Sequence, residues 1–179
     1  MPLSDDQKRE IRQLMFVAFR YLDLASEAAA EKHSSVTFGS LAKSFPLEED
    51  VEEPLREQIT ISADLASAAI RLTSADHVLG EAKCGRDVYT QCRKYFRMNS
   101  PLLSTDLHEH PQWFHVMLRD VVGHAEPTEG RTEEQTSRYC ARAELIAGTT
   151  LGWAYSRLRL TAVQLMGFLK TRDGIVVAR

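Results

Sequence analysis

Apolar residues recur every three or four positions over most of this chain, and no segment shows the every-second-residue alternation of a half-buried strand. Ile11, Leu14, Met15, Ala18, Leu22, Ala25 and Ala29 fall on one face of a helix. That helix opens at Ser4-Asp5-Asp6-Gln7, which has the form of a capping box, with acidic side chains where the helix dipole favours them. The pattern predicts an amphipathic helix from Asp5 to about Lys32. Residues Ser34 to Asp50, with Gly39 and Pro46, read as a short helix or a loop, and the acidic run before Pro54 suits a helix start.

From Leu55 to about His77 two apolar faces are visible. Leu55, Ile59, Ala66 and Ile70 make one, and Ile61, Leu65, Ala68 and Leu72 the other. A helix apolar on two faces belongs at the centre of a bundle or at a dimer interface. A further helix is expected over about 86–97, ended by Asn99-Ser100-Pro101. Pro111 opens another, carrying Trp113, Phe114, Met117, Leu118, Val121 and Val122 and terminated by Gly123. Thr132-Glu133-Glu134-Gln135 is a second capping box, and the pattern behind it reaches about Lys170, about 60 Å if unbroken. Gly148 and Gly152 within it permit a close helix approach or a bend. Gly174-Ile175-Val176-Val177 is expected to form a short strand or an ordered extension. The fold class implied is all-α. One domain over 1–173, a bundle of four to six helices with its first and last helices antiparallel, precedes a tail over 174–179.

Composition narrows function by exclusion. A net charge of −3 supplies no global field for nucleic acid, so RNA binding must come from a local patch or a cleft between subunits. Cys84, Cys92 and Cys140 form neither an even disulfide set nor a Cys-x-x-Cys pair, and read as reduced, mostly buried thiols. The N-terminus has no basic segment leading an apolar block, and the most apolar stretch, Leu145 to Tyr155, is too short to span a bilayer. The expectation is a cytoplasmic protein with no membrane partner. A Gly-rich phosphate loop, a Gly-x-Ser-x-Gly elbow and a His-Glu-x-x-His run are absent.

The run Leu-Arg-Asp-Val-Val-Gly-His-Ala-Glu at 118–126 carries the most chemistry. Arg119 and His124 frame an Arg-x4-His element, with polar Asp120 after the arginine and Gly123 before the histidine. An imidazole moves protons near neutral pH, and a guanidinium holds phosphoryl oxygens in a charged fork. On a regular helix residues five apart diverge, so Gly123 matters: a helix ending there lets His124 turn back toward Arg119. Asp120 would then orient the imidazole or pin the arginine. A looser pair, Arg71 and His77, lacks the polar second residue, since Leu72 follows the arginine.

Lys83, Arg86, Arg93, Lys94 and Arg97 place five positive charges against the single acid Asp87. Arg86, Arg93 and Arg97 align on a helical wheel, as a stripe that can follow a phosphate backbone or be an ordinary solvated face. His108, His110 and His115, with Glu109, are credible transition-metal ligands, yet their spacing fits no familiar zinc signature. Capping and aromatic packing account for them equally.

The element Arg119-Asp120-x-x-x-His124 resembles the Arg-x4–6-His signature of HEPN domains, and an all-helical chain of this length suits that family. The resemblance implies a homodimer in which two motifs face one shared cleft. It also implies metal-independent endoribonuclease activity with no cofactor, of the kind found in toxins and defence effectors. His124 would act as general acid or base, Arg119 would stabilise the phosphorane, and Asp120 would support them. Some members are neutralised by modification of a tyrosine two residues beyond the histidine; here that position is Glu126, which puts this mode of control in doubt. A protein antitoxin or regulator is a further expected partner. Two other readings stand beside it: a non-catalytic helical binding or assembly protein, and a metal-dependent helical enzyme using the 108–115 histidines.

Overall fold

A computed structural model describes residues 3–42, 52–81, 114–115, 118–119 and 132–175. Six named helices are formed among them: α1 (Asp5–Ala25), α2 (Glu27–Lys32), α3 (Phe38–Ala42), α4 (Glu53–Glu81), α5 (Glu133–Ala147) and α6 (Leu151–Asp173). Residues 114, 115, 118 and 119 are helical as well. No strand occurs among the described residues, whose one β-bridge joins Thr37 to Thr150. The fold is all-α, as the periodicity predicts.

α1 starts where its sequence places the start. Ser4 Oγ accepts from the Gln7 amide, and Gln7 Oε1 accepts from the Ser4 amide, closing the capping box. The helix buries Ile11, Met15, Ala18, Phe19, Leu22 and Ala25. Its main partner is α4, which buries Ile61, Leu65, Ala68, Ala69, Leu72 and Ala75. Of the two apolar faces of α4, the Ile61–Leu72 set is buried, Leu55 and Ile59 pack partly buried against the same core, and Ile70 stays partly exposed.

The predicted Asp5–Lys32 helix is broken at Ser26, whose backbone takes φ 46°. Ser26 closes α1 by donating its N–H to the Leu22 carbonyl, and its Oγ opens α2 by accepting from the Ala29 amide. One serine thus ends one helix and caps the next. The long C-terminal helix is also two helices. It breaks at Gly148-Thr149-Thr150, and Thr150 Oγ1 accepts from the Trp153 amide to start α6. The break lets residues 36–38 lie alongside 149–151. There the Phe38 amide donates to Thr149 O and the Leu151 amide to Val36 O, at 3.1 and 2.9 Å.

α6 runs antiparallel to α1 and α2. Ser34 and Ala30 lie against Gly152, Glu27 against Tyr155 and Ser156, and Asp23 and Phe19 against Arg159. The expected antiparallel pairing of first and last helices is therefore present. Gly174, left-handed at φ 63°, ends α6, and the buried Ile175 returns its N–H to the Leu169 carbonyl. That is an ordered extension; residues 176–179 lie outside the described set, as do the helix expected over 86–97 and the Gly123 terminator. Of the three cysteines, Cys140 is exposed rather than buried, and Cys84 and Cys92 lie outside the described residues.

The two glycines of the Gly148-x-x-x-Gly152 segment have different surroundings. A Cβ on Gly152 would stand 3.0 Å from Ser34 Cβ and 3.2 Å from its Cα, so this close approach is made inside the chain. A Cβ on Gly148 would meet only carbonyls of its own helix, at 3.6 and 3.8 Å. Gly152→Val is expected to destabilise the protein by about 1–3 kcal/mol through overpacking. Gly148→Ala is expected to leave stability within about 1 kcal/mol of wild type, or slightly above it. Urea titration followed by circular dichroism measures both; equal midpoints would contradict the α2–α6 approach.

Candidate functional site

Arg119 is held on a helical segment fixed by its neighbours. Phe114 and Leu118, one turn apart, are both fully buried. Phe114 meets Trp153 of α6 edge-on, with ring centroids 5.0 Å apart at 89°. On the α4 side, Thr73 Oγ1 donates to the His115 carbonyl at 3.3 Å. The segment therefore bridges α4 and α6. Arg119 follows Leu118 in sequence and is half-buried, with its Nε out of solvent contact.

His115 lies four positions before Arg119 in sequence, the spacing of one helix face. His115 is buried, and its Nδ1 is likewise out of solvent. Sequence reasoning grouped this residue with His108 and His110; its carbonyl is held by Thr73 of α4. Asp120 and His124 lie outside the described residues. So do the Lys83, Arg86, Arg93, Lys94 and Arg97 stripe and the histidines at 108 and 110. Among the described residues no group of three or more His, Cys, Asp or Glu side chains is placed to hold a metal ion. Arg71 and His77, the looser pair, are both exposed on α4. Six residues apart on one helix, they diverge by about 120° and do not share a face.

Trp153 also carries Arg157, whose guanidinium carbon lies 5.3 Å from the ring centroid. Partial burial depresses the Arg157 pKa from its ordinary value. On the opposite flank of α6, Glu27, Tyr155, Ser156, Arg159, Leu160 and Val163 line an open groove of about 330 Å³. Burial pushes the Tyr155 hydroxyl up, opposed by the nearby Arg159 charge. Arg159 itself lies 3.4 Å from Asp23 and rests over the Phe19 ring.

One polar cluster was not visible in the sequence. His33, the buried residue capping α2, points Nε2 at Glu57 Oε2 of α4 at 2.8 Å. The Gln58 amide lies 3.3 Å from His33 Nδ1, and Lys32 donates to the same Glu57 oxygen at 2.8 Å. The neutral imidazole with its proton on Nε2 satisfies both contacts, donating to Glu57 and accepting from Gln58. The residues lie some two dozen positions apart, and no local pattern announces them. Hydrogen bonds from Lys32 and then His33 hold the Glu57 carboxyl below its ordinary value. The cluster joins two helices and leaves no open face on the imidazole for a substrate, so its role is to anchor α2 on α4.

No family model matches this chain, and no curated protein or solved structure shows significant similarity to it.

Because the folded-state pKa of Glu57 is lowered, the anchor is fully present above the ordinary carboxylate value of 4.5 and is lost as pH falls below it. Glu57→Gln is expected to lower the thermal midpoint at pH 7, with the difference from wild type shrinking below pH 4.5. A difference constant from pH 7 to pH 3 would contradict the ionic part of the anchor.

Proposed function

We propose that the chain is a metal-independent endoribonuclease of HEPN type, acting as a homodimer, with Arg119 and His124 as its catalytic pair. The observation that carries this reading is the setting of Arg119. The residues before it are held to α6 through Phe114 and to α4 through His115, Leu118 is buried, and the arginine itself stays partly open to solvent. A guanidinium so held is positioned in advance for a phosphate, which limits reorganisation during reaction. The place of the motif late in an all-helical chain supports the family resemblance.

In the proposed reaction a ribose 2′-hydroxyl attacks the adjacent phosphorus. His124 accepts the hydroxyl proton or returns one to the departing 5′-oxygen, and the bond to that oxygen breaks. Arg119 balances the charge gathered on the phosphorane, and Asp120 keeps the pair aligned. The products are a 2′,3′-cyclic phosphate and a 5′-hydroxyl, and no metal or cofactor enters the balance. The Lys83, Arg86, Arg93, Lys94 and Arg97 stripe would supply local charge for RNA that a net charge of −3 does not. A toxin or defence role and a protein antitoxin follow from the family resemblance alone.

A second reading, a non-catalytic helical binding protein, is favoured by one observation. Arg119 Nε is sealed from solvent, as in an arginine that serves packing. The two readings separate on two instruments. Under the first, His124→Ala and Arg119→Ala each cut RNA cleavage in EDTA by about 10²–10⁴ with little change in melting. Under the second, wild-type protein is inert and Arg119→Ala melts several degrees lower.

Arg86→Glu combined with Arg93→Glu is expected to weaken RNA binding and flatten its salt dependence without loss of helicity. Fluorescence anisotropy across a salt series measures this. Unchanged affinity and slope would make the stripe a solvated helix face.

A further inference from the structure

The exposed large apolar side chains among the described residues are Phe16 at 45%, Leu24 at 66%, Leu160 at 42% and Val163 at 38%, all on α1 or α6. The core side of α6 is made by Leu151, Ala154, Leu158, Ala162 and Leu169. The opposite, outward side carries Ser156, Leu160, Val163, Gln164, Gly167 and Lys170. Ser156, Leu160, Val163 and Gly167 are spaced four, three and four residues apart, the spacing of a helix-packing seam. A Cβ on Gly167 would meet nothing within 4 Å.

The seam is its own complement. A two-fold axis crossing α6 between Thr161 and Ala162 sets Leu160 against the partner's Val163 and Ser156 against the partner's Gly167. Large side chains then meet large, and small ones meet small. The flanking charges obey the same symmetry. Glu27 stands beside Ser156 at one end of the seam, and Lys170 lies exposed one turn beyond Gly167 at the other. In the antiparallel register each Glu27 meets the partner's Lys170.

We infer that the outward face of α6 is a homodimer interface, two copies of the chain packing α6 antiparallel on α6 about the Leu160–Val163 centre. This names a different surface from the one the sequence suggested. On α4, Leu55 and Ile59 already pack against the core of the same chain, and Gly152 is approached by Ser34 and Ala30 of the same chain. The homodimer is shared with the ribonuclease reading, while the α6 face is tested on its own: variants at Leu160 and Val163 that stay dimeric overturn this face and leave that reading standing.

Light scattering of the full chain at micromolar concentration is expected to give twice the 20.2 kDa of one chain. Leu160→Lys and Val163→Glu are each expected to give 20.2 kDa with wild-type helicity by circular dichroism, since both positions face solvent in the single chain. An equimolar mixture of the two variants is expected to recover the doubled mass. The proposed register pairs the new lysine with the new glutamate and leaves the second Leu160–Val163 contact native. A wild-type mass of 20.2 kDa overturns the proposal and leaves the face to another occupant. So do variants that remain dimeric, or a mixture that stays at the single-chain mass.

Discussion

The dry contact between α1 and α4 is the constraint on which the rest of the molecule depends. Ile11, Met15 and Leu22 on one helix and Leu65 and Leu72 on the other are fully buried. No other pair of described helices meets so extensively. Burying side chains of this size is worth about 1.5–3 kcal/mol each before the entropy of ordering is charged. α6 packs onto this pair, Phe114 meets α6 through Trp153, and His115 meets α4 through Thr73. Arg119 follows Leu118, which is buried in the same core.

Two devices regulate how the peripheral pieces meet that core. Ser26 turns the chain so that α2 follows α1 at an angle, and the His33–Glu57–Gln58 cluster then fixes α2 on α4. At the other end the Thr37–Thr150 bridge and the cap at Thr150 aim α6 back along α1 and α2. Gly152 is small because α2 passes over it at near-contact distance. These are short-range polar and steric rules layered on a long-range apolar one, and together they give a single orientation to the outward face of α6.

The fold class, the α1 cap and the buried face of α4 were legible because periodicity and capping are local signals. The break at Ser26 was not, since the apolar spacing runs on through Ala25 and Ala29 with no glycine or proline to interrupt it. The break at 148–150 was half legible. Gly148 suggested a bend, but Thr150 becomes a cap only when residues 36–38 arrive to pair with it. His33 and Glu57 were missed because nothing in either neighbourhood refers to the other. The close approach at Gly152 was visible in the sequence, but the approaching residues, Ala30 and Ser34, were not. Arg119 was found by motif, and its half-buried setting was not foreseeable from the motif. His115, grouped by sequence with two other histidines, is buried and tied to Thr73 of α4.

The central functional claim is that this bundle cuts RNA through the ribose 2′-hydroxyl with side chains alone. The most direct measurement is the chemistry of the new ends when purified wild-type protein is incubated with a labelled RNA in EDTA. The account predicts fragments ending in a 2′,3′-cyclic phosphate and beginning with a 5′-hydroxyl. Intact RNA, or cleavage that requires added divalent metal and leaves 3′-hydroxyl and 5′-phosphate ends, would contradict it.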